Sequence, residues 1–191
     1  HHTDHTLGAA HFGARGARVV ATAACAARMA AEHPGLIEAR REASDPRVAA
    51  LFHAAEPVGP IETFAGELAL RAGGLDVVVR HAGHAHTPGD ATVQVPSLGL
   101  VVCGDLASCG YHVNFEDADA GGFETALRRL ALEPGSLFVP GHGPAGGREV
   151  LAYGIGYLEA ARAAASARPP AEVGPALLAR FPGHRLVAAV E

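Results

Sequence analysis

The stretch that decides how this chain is interpreted is its first five residues, His1-His2-Thr3-Asp4-His5. His2 and Asp4 have the spacing of a strand or turn, so both side chains can point the same way, and His5 follows at once. Imidazole nitrogen and carboxylate oxygen are ligands that zinc and neighbouring first-row metals favour. Histidine-rich N-termini are often expression tags, but Thr3 and Asp4 interrupt this one. The stretch predicts part of a metal site if further ligands follow.

Three later motifs carry such ligands where apolar strands are predicted to end. His86 opens a turn of sequence His-Thr-Pro-Gly-Asp, whose final Asp90 we interpret as a structural capping carboxylate. Asp105 follows the apolar run 98–103 and a glycine, a place where a carboxylate is costly unless it is paired or binds a cation. His142 lies within Pro-Gly-His-Gly-Pro. Because loops at strand ends gather at one edge of a sheet, we expect these side chains to meet there.

The predicted elements indicate an α/β sandwich of mixed sheets, because strand pairs alternate with helices. Residues 1–191 show no repeat and no long linker, so a single domain is predicted. Predicted strands are 19–20, 67–71, 75–79, 91–95, 98–103 and 136–139. Predicted helices are 21–32 (ended by His33-Pro34-Gly35), 46–55 with Asp45 as N-cap, 123–132, 146–165 and a short one ending near Arg180.

Composition excludes several classes of protein. Hydrophobic residues make up 49% of the chain and charged residues 18%, which is typical of a globular domain rather than a disordered one. A net charge of −5 predicts no nucleic-acid partner, and the absence of a run of about 18 apolar residues predicts no membrane partner. Three cysteines without a CxxC pair indicate a reducing compartment, hence a cytoplasmic location. The predicted partner is a small-molecule substrate; the sequence leaves the oligomeric state open.

The order, spacing and flanking residues of the motifs resemble the metallo-β-lactamase superfamily of hydrolases. That family carries H-x-H-x-D-H at one strand end, then a His before Thr-Pro-Gly, an Asp after a strand and a late Gly-His-Gly. The matching residues are, in order, His2, Asp4, His5, His86, Asp105 and His142. The resemblance covers the chain from His2 to about Pro144.

By resemblance, these six residues bind two divalent metals, with Asp105 as the bridging ligand. One metal takes His2 and His86, and the other takes Asp4, His5 and His142. Zinc is favoured, while iron or manganese would suit the same ligand types. A hydroxide that bridges the two metals would attack the substrate. Asp4 would act as a catalytic residue that orients this hydroxide or handles its proton.

The family pattern also places a first histidine one position before His1, and strands of a first sheet before that. We therefore expect this sequence to begin partway through a longer chain, with the first sheet partly missing. His1 then occupies a variable position, and its side chain should point away from the metals.

The resemblance implies a dinuclear zinc-dependent hydrolase of the small bacterial type that cleaves an ester, a thioester or a lactone. An Asp in the bridging position is typical of the glyoxalase II and lactonase branch. The β-lactamases usually carry Cys there and Lys three residues on, where this sequence has Asp105 and Ser108. Cleavage of a β-lactam and a non-catalytic metal-binding homologue remain the alternatives; di-iron redox chemistry usually needs a flavin-binding partner domain.

Residues beside the ligands are candidates for supporting roles. Tyr111, His112 and Asn114 follow the bridging Asp in a loop and are candidates for substrate binding, with ordinary loop structure as the alternative. His84 precedes the ligand His86 and could hold a ligand in place through a hydrogen bond.

Overall fold

The computed structural model describes residues 1–59 and 61–186, and the chain divides into two compact units, one spanning His1–Ala65 and one beginning at Gly66. Both units combine helices with strands, so the predicted α/β class with mixed sheets is confirmed. The single domain over 1–191 stays a prediction. In the part of the chain that is described, no helix has both the length and the apolar character needed to cross a bilayer.

The first unit is mostly helical and contains a small parallel sheet. Its elements are α1 (Thr3–Thr6), α2 (Ala9–Gly13), β1 (Val20–Thr22), α3 (Ala23–Arg41), α4 (Pro46–Phe52) and β2 (Glu62–Phe64). β1 and β2 pair in parallel, with Ala21 opposite Thr63. The predicted cap of α4 is confirmed, because the Asp45 carboxylate accepts a hydrogen bond of 2.9 Å from the Arg47 amide.

The prediction that α3 ends at His33-Pro34-Gly35 is wrong, because this helix continues through Pro34 to Arg41. Proline removes one backbone donor from the helix and normally kinks or ends it. Packing compensates for that loss here. Buried side chains recur at intervals of four residues, at Met29, His33 and Ile37, so one face of the helix is covered on both sides of the proline.

The second unit is built on a five-stranded mixed sheet in the order β3-β4-β5-β6-β7. The first four strands are antiparallel, and β7 runs parallel to β6. The strands are β3 (Glu67–Ala72), β4 (Leu75–Gly83), β5 (Asp90–Val95), β6 (Leu100–Ser108) and β7 (Leu137–His142). Both strand pairs predicted from the sequence, around Gly73-Gly74 and around Pro96-Ser97, are confirmed as β3–β4 and β5–β6.

In the described part of the second unit, the sheet is accompanied by three helices, α5 (Ala120–Leu130), α6 (Glu149–Ala167) and α7 (Pro170–Arg180). Apolar residues recur every three or four positions along α5 and form one buried face of this helix. It packs with α6 and the sheet in a core whose largest members are Tyr157, Phe123, Phe138, Leu106, Leu127 and Leu151. This core fixes β6 and β7, which carry two of the predicted ligands.

Candidate metal centre

Asp105 and His142 lie on neighbouring parallel strands of the second unit. His142 ends β7, as predicted, whereas Asp105 lies within β6 rather than after it. The pairing of these strands is irregular between Gly104 and Ser108, and Gly104 has a φ of +56°, which glycine adopts at no steric cost. This irregularity turns Asp105 out of the regular ladder at the edge where β7 ends.

The carboxylate of Asp105 stands between two imidazoles. His86 Nε2 is 3.5 Å from Asp105 Oδ2, and His142 Nε2 is 3.5 Å from Asp105 Oδ1. The exposed fractions of the three side chains are 6% for His86, 11% for Asp105 and 25% for His142. Each imidazole therefore faces a different oxygen of one largely buried carboxylate.

The spacing of these atoms fits metal ligands. Nitrogen and oxygen ligands lie about 2.0–2.2 Å from zinc, so two of them at a tetrahedral angle stand roughly 3.4 Å apart. The observed separations of 3.5 Å agree with that value on both sides of the carboxylate. A carboxylate with one imidazole at each oxygen has the donor set to share two cations, one per oxygen.

The glycines around His142 allow this approach. A Cβ atom on Gly141 would stand 1.9 Å from Asp105 Oδ1, so any side chain there would collide with the carboxylate. Gly143 has a φ of +99°, and a Cβ on it would stand 2.2 Å from the Cys109 carbonyl oxygen. The Cys109 amide donates a 2.9 Å hydrogen bond to the His142 carbonyl. The Gly-His-Gly motif thus gives His142 its place beside Asp105.

The turn that carries His86 is held by its own polar groups. The Asp90 carboxylate accepts hydrogen bonds from the Thr87 amide at 2.9 Å and from the Thr87 hydroxyl at 2.5 Å, so its predicted capping role is confirmed. The ring of His86 meets that of Phe123 edge-on at 5.8 Å. His84 Nε2 lies 2.8 Å from the Asp117 carbonyl oxygen, and it therefore ties the turn to a neighbouring loop.

The N-terminal ligand candidates belong to the first unit. Of the strand or turn spacing inferred for His2 and Asp4, the strand is wrong, because Thr3–Thr6 forms a single helical turn. The Thr6 hydroxyl donates a 2.8 Å hydrogen bond to the His2 carbonyl, which favours the turn locally. Asp4 Oδ2 lies 3.3 Å from His5 Nε2, and their side chains are 57% and 32% exposed. The unit therefore brings Asp4 and His5 together near its surface.

His1 differs from these neighbours. Its side chain is only 2% exposed, and its Nε2 lies 3.4 Å from a carboxylate oxygen of Glu32 in α3. The His1 carbonyl oxygen lies 2.7 Å from His33 Nε2. The first residue is thus held in place by contacts with α3.

The three predicted substrate contacts have different surroundings. The ring of Tyr111 lies 5.2 Å from that of His142, whose Nε2 in turn is 3.5 Å from the Asp105 carboxylate. His112 is buried, and its Nδ1 lies 2.9 Å from the Tyr157 hydroxyl; burial lowers the pKa of His112, and the nearby His184 lowers it further. Asn114 accepts a 2.9 Å hydrogen bond from the Glu116 amide, as a turn cap does. Substrate binding by these residues stays a prediction.

Two cysteines near this region are poorly suited to act as nucleophiles. Burial raises the pKa of Cys103 to about 12. Burial also raises the pKa of Cys109, and the charge of Glu149 adds to that effect. Because the thiolate is the reactive form, the chemistry of this region rests on imidazole and carboxylate groups.

No sequence motif singles out Arg185, although its guanidinium group lies over the ring of Tyr111, with Cζ 5.7 Å from the ring centre. Arg185 and Tyr111 are far apart in the sequence, and an isolated parallel bridge joins their backbones. Only the tertiary structure places this arginine next to a residue that touches His142.

Comparison with known proteins identifies a family for this chain. The model of the metallo-beta-lactamase superfamily matches residues 1–142, a range that contains all six predicted ligands. No curated protein sequence is significantly similar to this chain.

Several solved structures of metallo-beta-lactamase proteins have the same fold as this chain. A metallo-beta-lactamase family protein from Thermus thermophilus has a TM-score of 0.67 at 17% identity, covering 96% of this chain and 68% of that one. A metallo-beta-lactamase from Pontibacter korlensis has a TM-score of 0.61 at 21% identity, covering 78% and 61%. DIM-1 metallo-beta-lactamase has a TM-score of 0.58 at 18% identity, covering 84% and 64%. This chain therefore spans less than two thirds of the length of the last two proteins.

Proposed function

This chain belongs to the metallo-β-lactamase superfamily, and on that premise we propose that it is a dinuclear metal-dependent hydrolase that cleaves an ester, a thioester or a lactone. Most members of the superfamily are hydrolases. The observation that carries the proposal is the arrangement around Asp105, where His86 and His142 face opposite oxygens of one buried carboxylate at 3.5 Å.

The proposed ligands follow the superfamily pattern. His2 and His86 would serve one cation, and the ligands of the other would be Asp4, His5 and His142. Asp105 would be shared between them. When bound, divalent cations, most simply zinc, supply a water of lowered pKa and a Lewis-acidic contact for a substrate oxygen.

The residues of the chain have distinct tasks in this proposal. Asp105 lies between its two histidines with 11% of its side chain exposed, which limits the access of water to the carboxylate. Asp4 is the proposed catalytic residue, because its exposed carboxylate is accessible to a water and can orient it or accept its proton. Tyr111 flanks His142 and would limit the space open to the substrate.

The substrate class rests on two positions. Asp105 stands where β-lactamases of this type usually carry Cys, and Ser108 stands where they carry a lysine for the carboxylate of the drug. The chain has no lysine at all. These differences favour an ester, thioester or lactone over a β-lactam as the substrate. Cleavage of a β-lactam is the second candidate, because structures that share the fold include DIM-1 metallo-beta-lactamase.

The test is hydrolysis by metal-loaded protein of a generic thioester, a simple lactone and a β-lactam. We expect turnover of the first two, its loss on chelation, its return on addition of zinc, and its abolition by Asp105→Ala. Activity that survives both chelation and that substitution would contradict the proposal. Elemental analysis separates an enzyme from a non-catalytic metal-binding homologue, since two metal equivalents per chain favour the enzyme and one or none the homologue.

A further inference from the structure

Tyr111 connects an arginine to the proposed metal centre. On one side, its ring lies 5.2 Å from the ring of His142 with an angle of 34° between the planes. On the other side, Arg185 Cζ lies 5.7 Å from the ring centre, and Arg185 Nη1 donates a 3.2 Å hydrogen bond to the Tyr111 hydroxyl. A positive charge is thus held one aromatic ring away from a candidate ligand.

The backbone fixes the position of Arg185. Its amide donates a 3.0 Å hydrogen bond to the Gly110 carbonyl, and its carbonyl accepts one of 2.8 Å from the His112 amide. The preceding residue, His184, packs against the Phe181 ring at 5.0 Å. Because the backbone is already ordered, binding a ligand at this side chain costs less conformational entropy than binding at a mobile arginine.

The electrostatic environment of Arg185 differs from that of Arg80 and Arg162, two arginines of the second unit that form ion pairs. Arg80 pairs with Glu67 at 2.6 Å, and Arg162 pairs with Glu124 at 2.7 Å. Across residues 1–59 and 61–186, no carboxylate pairs with Arg185, whose polar side-chain contact is a neutral phenol. The side chain is exposed. A guanidinium group has five N–H donors, and a planar fork of two remains suited to a carboxylate.

The geometry points to Arg185, held by Tyr111, as the residue that binds a negatively charged group of the substrate and so sets specificity. The substrate class would be an ester, thioester or lactone that carries a carboxylate away from the bond that is cleaved. This inference rests on the proposed function for the reaction, but the binding of an anion at Arg185 can be measured without turnover.

The test uses the metal-loaded full chain and matched pairs of substrates. Each pair is a thioester of a dicarboxylic acid and the same thioester with its distant carboxylate as a methyl ester, over a series of chain lengths. Arg185→Gln removes the charge, and Arg185→Lys keeps it without the planar fork. Arg180→Gln is the matched control, because Arg180 also lies over an aromatic ring, that of Phe181, at 5.7 Å and is exposed.

At the best chain length we expect the wild type to prefer the charged substrate in kcat/KM. Arg185→Gln should reduce that preference by roughly tenfold to a hundredfold, the size of a lost charge-assisted hydrogen bond. Turnover of the neutral substrate should change less than about threefold, Arg185→Lys should retain part of the preference, and Arg180→Gln should retain all of it. A wild type without preference, or an equal loss on both substrates, would overturn the inference.

A calorimetric titration separates failure of this inference from failure of the proposed function. Dicarboxylates of the same lengths and their monomethyl esters are titrated into the metal-loaded protein. Tighter binding of the dicarboxylate in the wild type, lost in Arg185→Gln and kept in Arg180→Gln, supports the inference even if no ester is hydrolysed. Equal binding of both ligands to the wild type overturns it even if esters are cleaved.

Discussion

The two sets of candidate ligands differ in their spacing along the sequence and in their exposure to solvent. In the first unit, His2, Asp4 and His5 lie within four positions, on and beside a single helical turn, and the side chains of Asp4 and His5 are 57% and 32% exposed. In the second unit, His86, Asp105 and His142 come from three elements and are no more than 25% exposed. The ligand candidates of the first unit are thus neighbours in the sequence, whereas the fold brings those of the second unit together from distant positions.

The two sets of ligands are ordered by different parts of the structure. One helical turn is unstable in isolation, since nucleation fixes several residues for one hydrogen bond. The N-terminal set therefore depends on its neighbours and on any bound cation for its geometry. The set around Asp105 is prepared by the pairing of β6 with β7, by the small residue Gly141 and by the capped turn before β5. We expect substitutions in the second set to have the larger consequences.

The largest expected effect comes from comparing Asp105→Ala with Asp4→Ala. Asp105 faces a histidine at each oxygen, so its loss should remove both metal equivalents and at least a thousandfold of kcat/KM. Asp4 contacts His5, so its loss should spare one equivalent. Elemental analysis and hydrolysis rates check both expectations.

Asp76→Ala is the control for that comparison, because Asp76 is an exposed aspartate at the β3–β4 turn, 3.8 Å from Arg71. It should retain wild-type metal content and activity. Equal metal loss in Asp105→Ala and Asp4→Ala would show that the two sets do not differ in the way proposed.

The next effect concerns the close approach of β6 and β7. Gly141→Ala places a methyl group 1.9 Å from Asp105 Oδ1, so the strands must separate. We expect a loss of about 1–3 kcal/mol in the free energy of unfolding, typical of overpacking, and at least a tenfold loss of activity. Urea denaturation and hydrolysis rates give the two values.

Gly156→Ala, within α6, is the matched control. A Cβ there meets nothing within 4 Å, and alanine favours helix, so the free energy of unfolding should rise by about 0.5–1 kcal/mol. If Gly141→Ala were as well tolerated as Gly156→Ala, the close contact would not matter to the site.

A smaller effect compares the two threonines that support the sets. The Thr87 hydroxyl donates to the charged Asp90 at 2.5 Å, whereas the Thr6 hydroxyl donates to a neutral carbonyl at 2.8 Å. Thr87→Val should reduce metal affinity about 10–100-fold, since it disorders the turn that carries His86. Thr6→Val should cost about 1 kcal/mol of stability or less. Metal competition titrations check the order, and the reverse order would refute it.

The smallest effect is the pH dependence of the second unit. Burial, followed by the charge of His184, lowers the pKa of His112 from 6.5. Below about pH 6.5, His112 is therefore protonated in the unfolded chain but remains unprotonated in the folded unit until its lower folded pKa is reached. The contribution of His112 to the free energy of unfolding should be complete above that pH and should fall by at most about 1.4 kcal/mol per pH unit below it, until the folded pKa of His112 is reached.

Urea denaturation of wild type and His112→Phe at pH 7.5 and pH 5.5 measures this dependence. Phenylalanine keeps a ring beside Tyr157 but cannot take up a proton, so the variant should lose less stability on acidification. The same loss in both proteins would show that His112 does not contribute.

Several features followed from the sequence because their causes are local. Asp45 and Pro46 marked the start of α4, and Gly73-Gly74 marked the β3–β4 turn, since caps and turns depend on residues a few positions apart. The path of α3 through Pro34 did not follow, because buried residues on both sides of the proline outweigh its local preference. The single helical turn of Thr3–Thr6 was missed for a similar reason, since a motif spacing does not fix φ and ψ.

The sequence alone identifies the side chains that can bind a metal, their order along the chain and the glycines beside them. The fold brings His86 and His142 to opposite oxygens of Asp105, leaves room for that carboxylate at Gly141, and places Arg185 over Tyr111. The physical reason is distance along the chain. These contacts depend on strand register and on the packing of remote segments, which no local pattern of residues specifies.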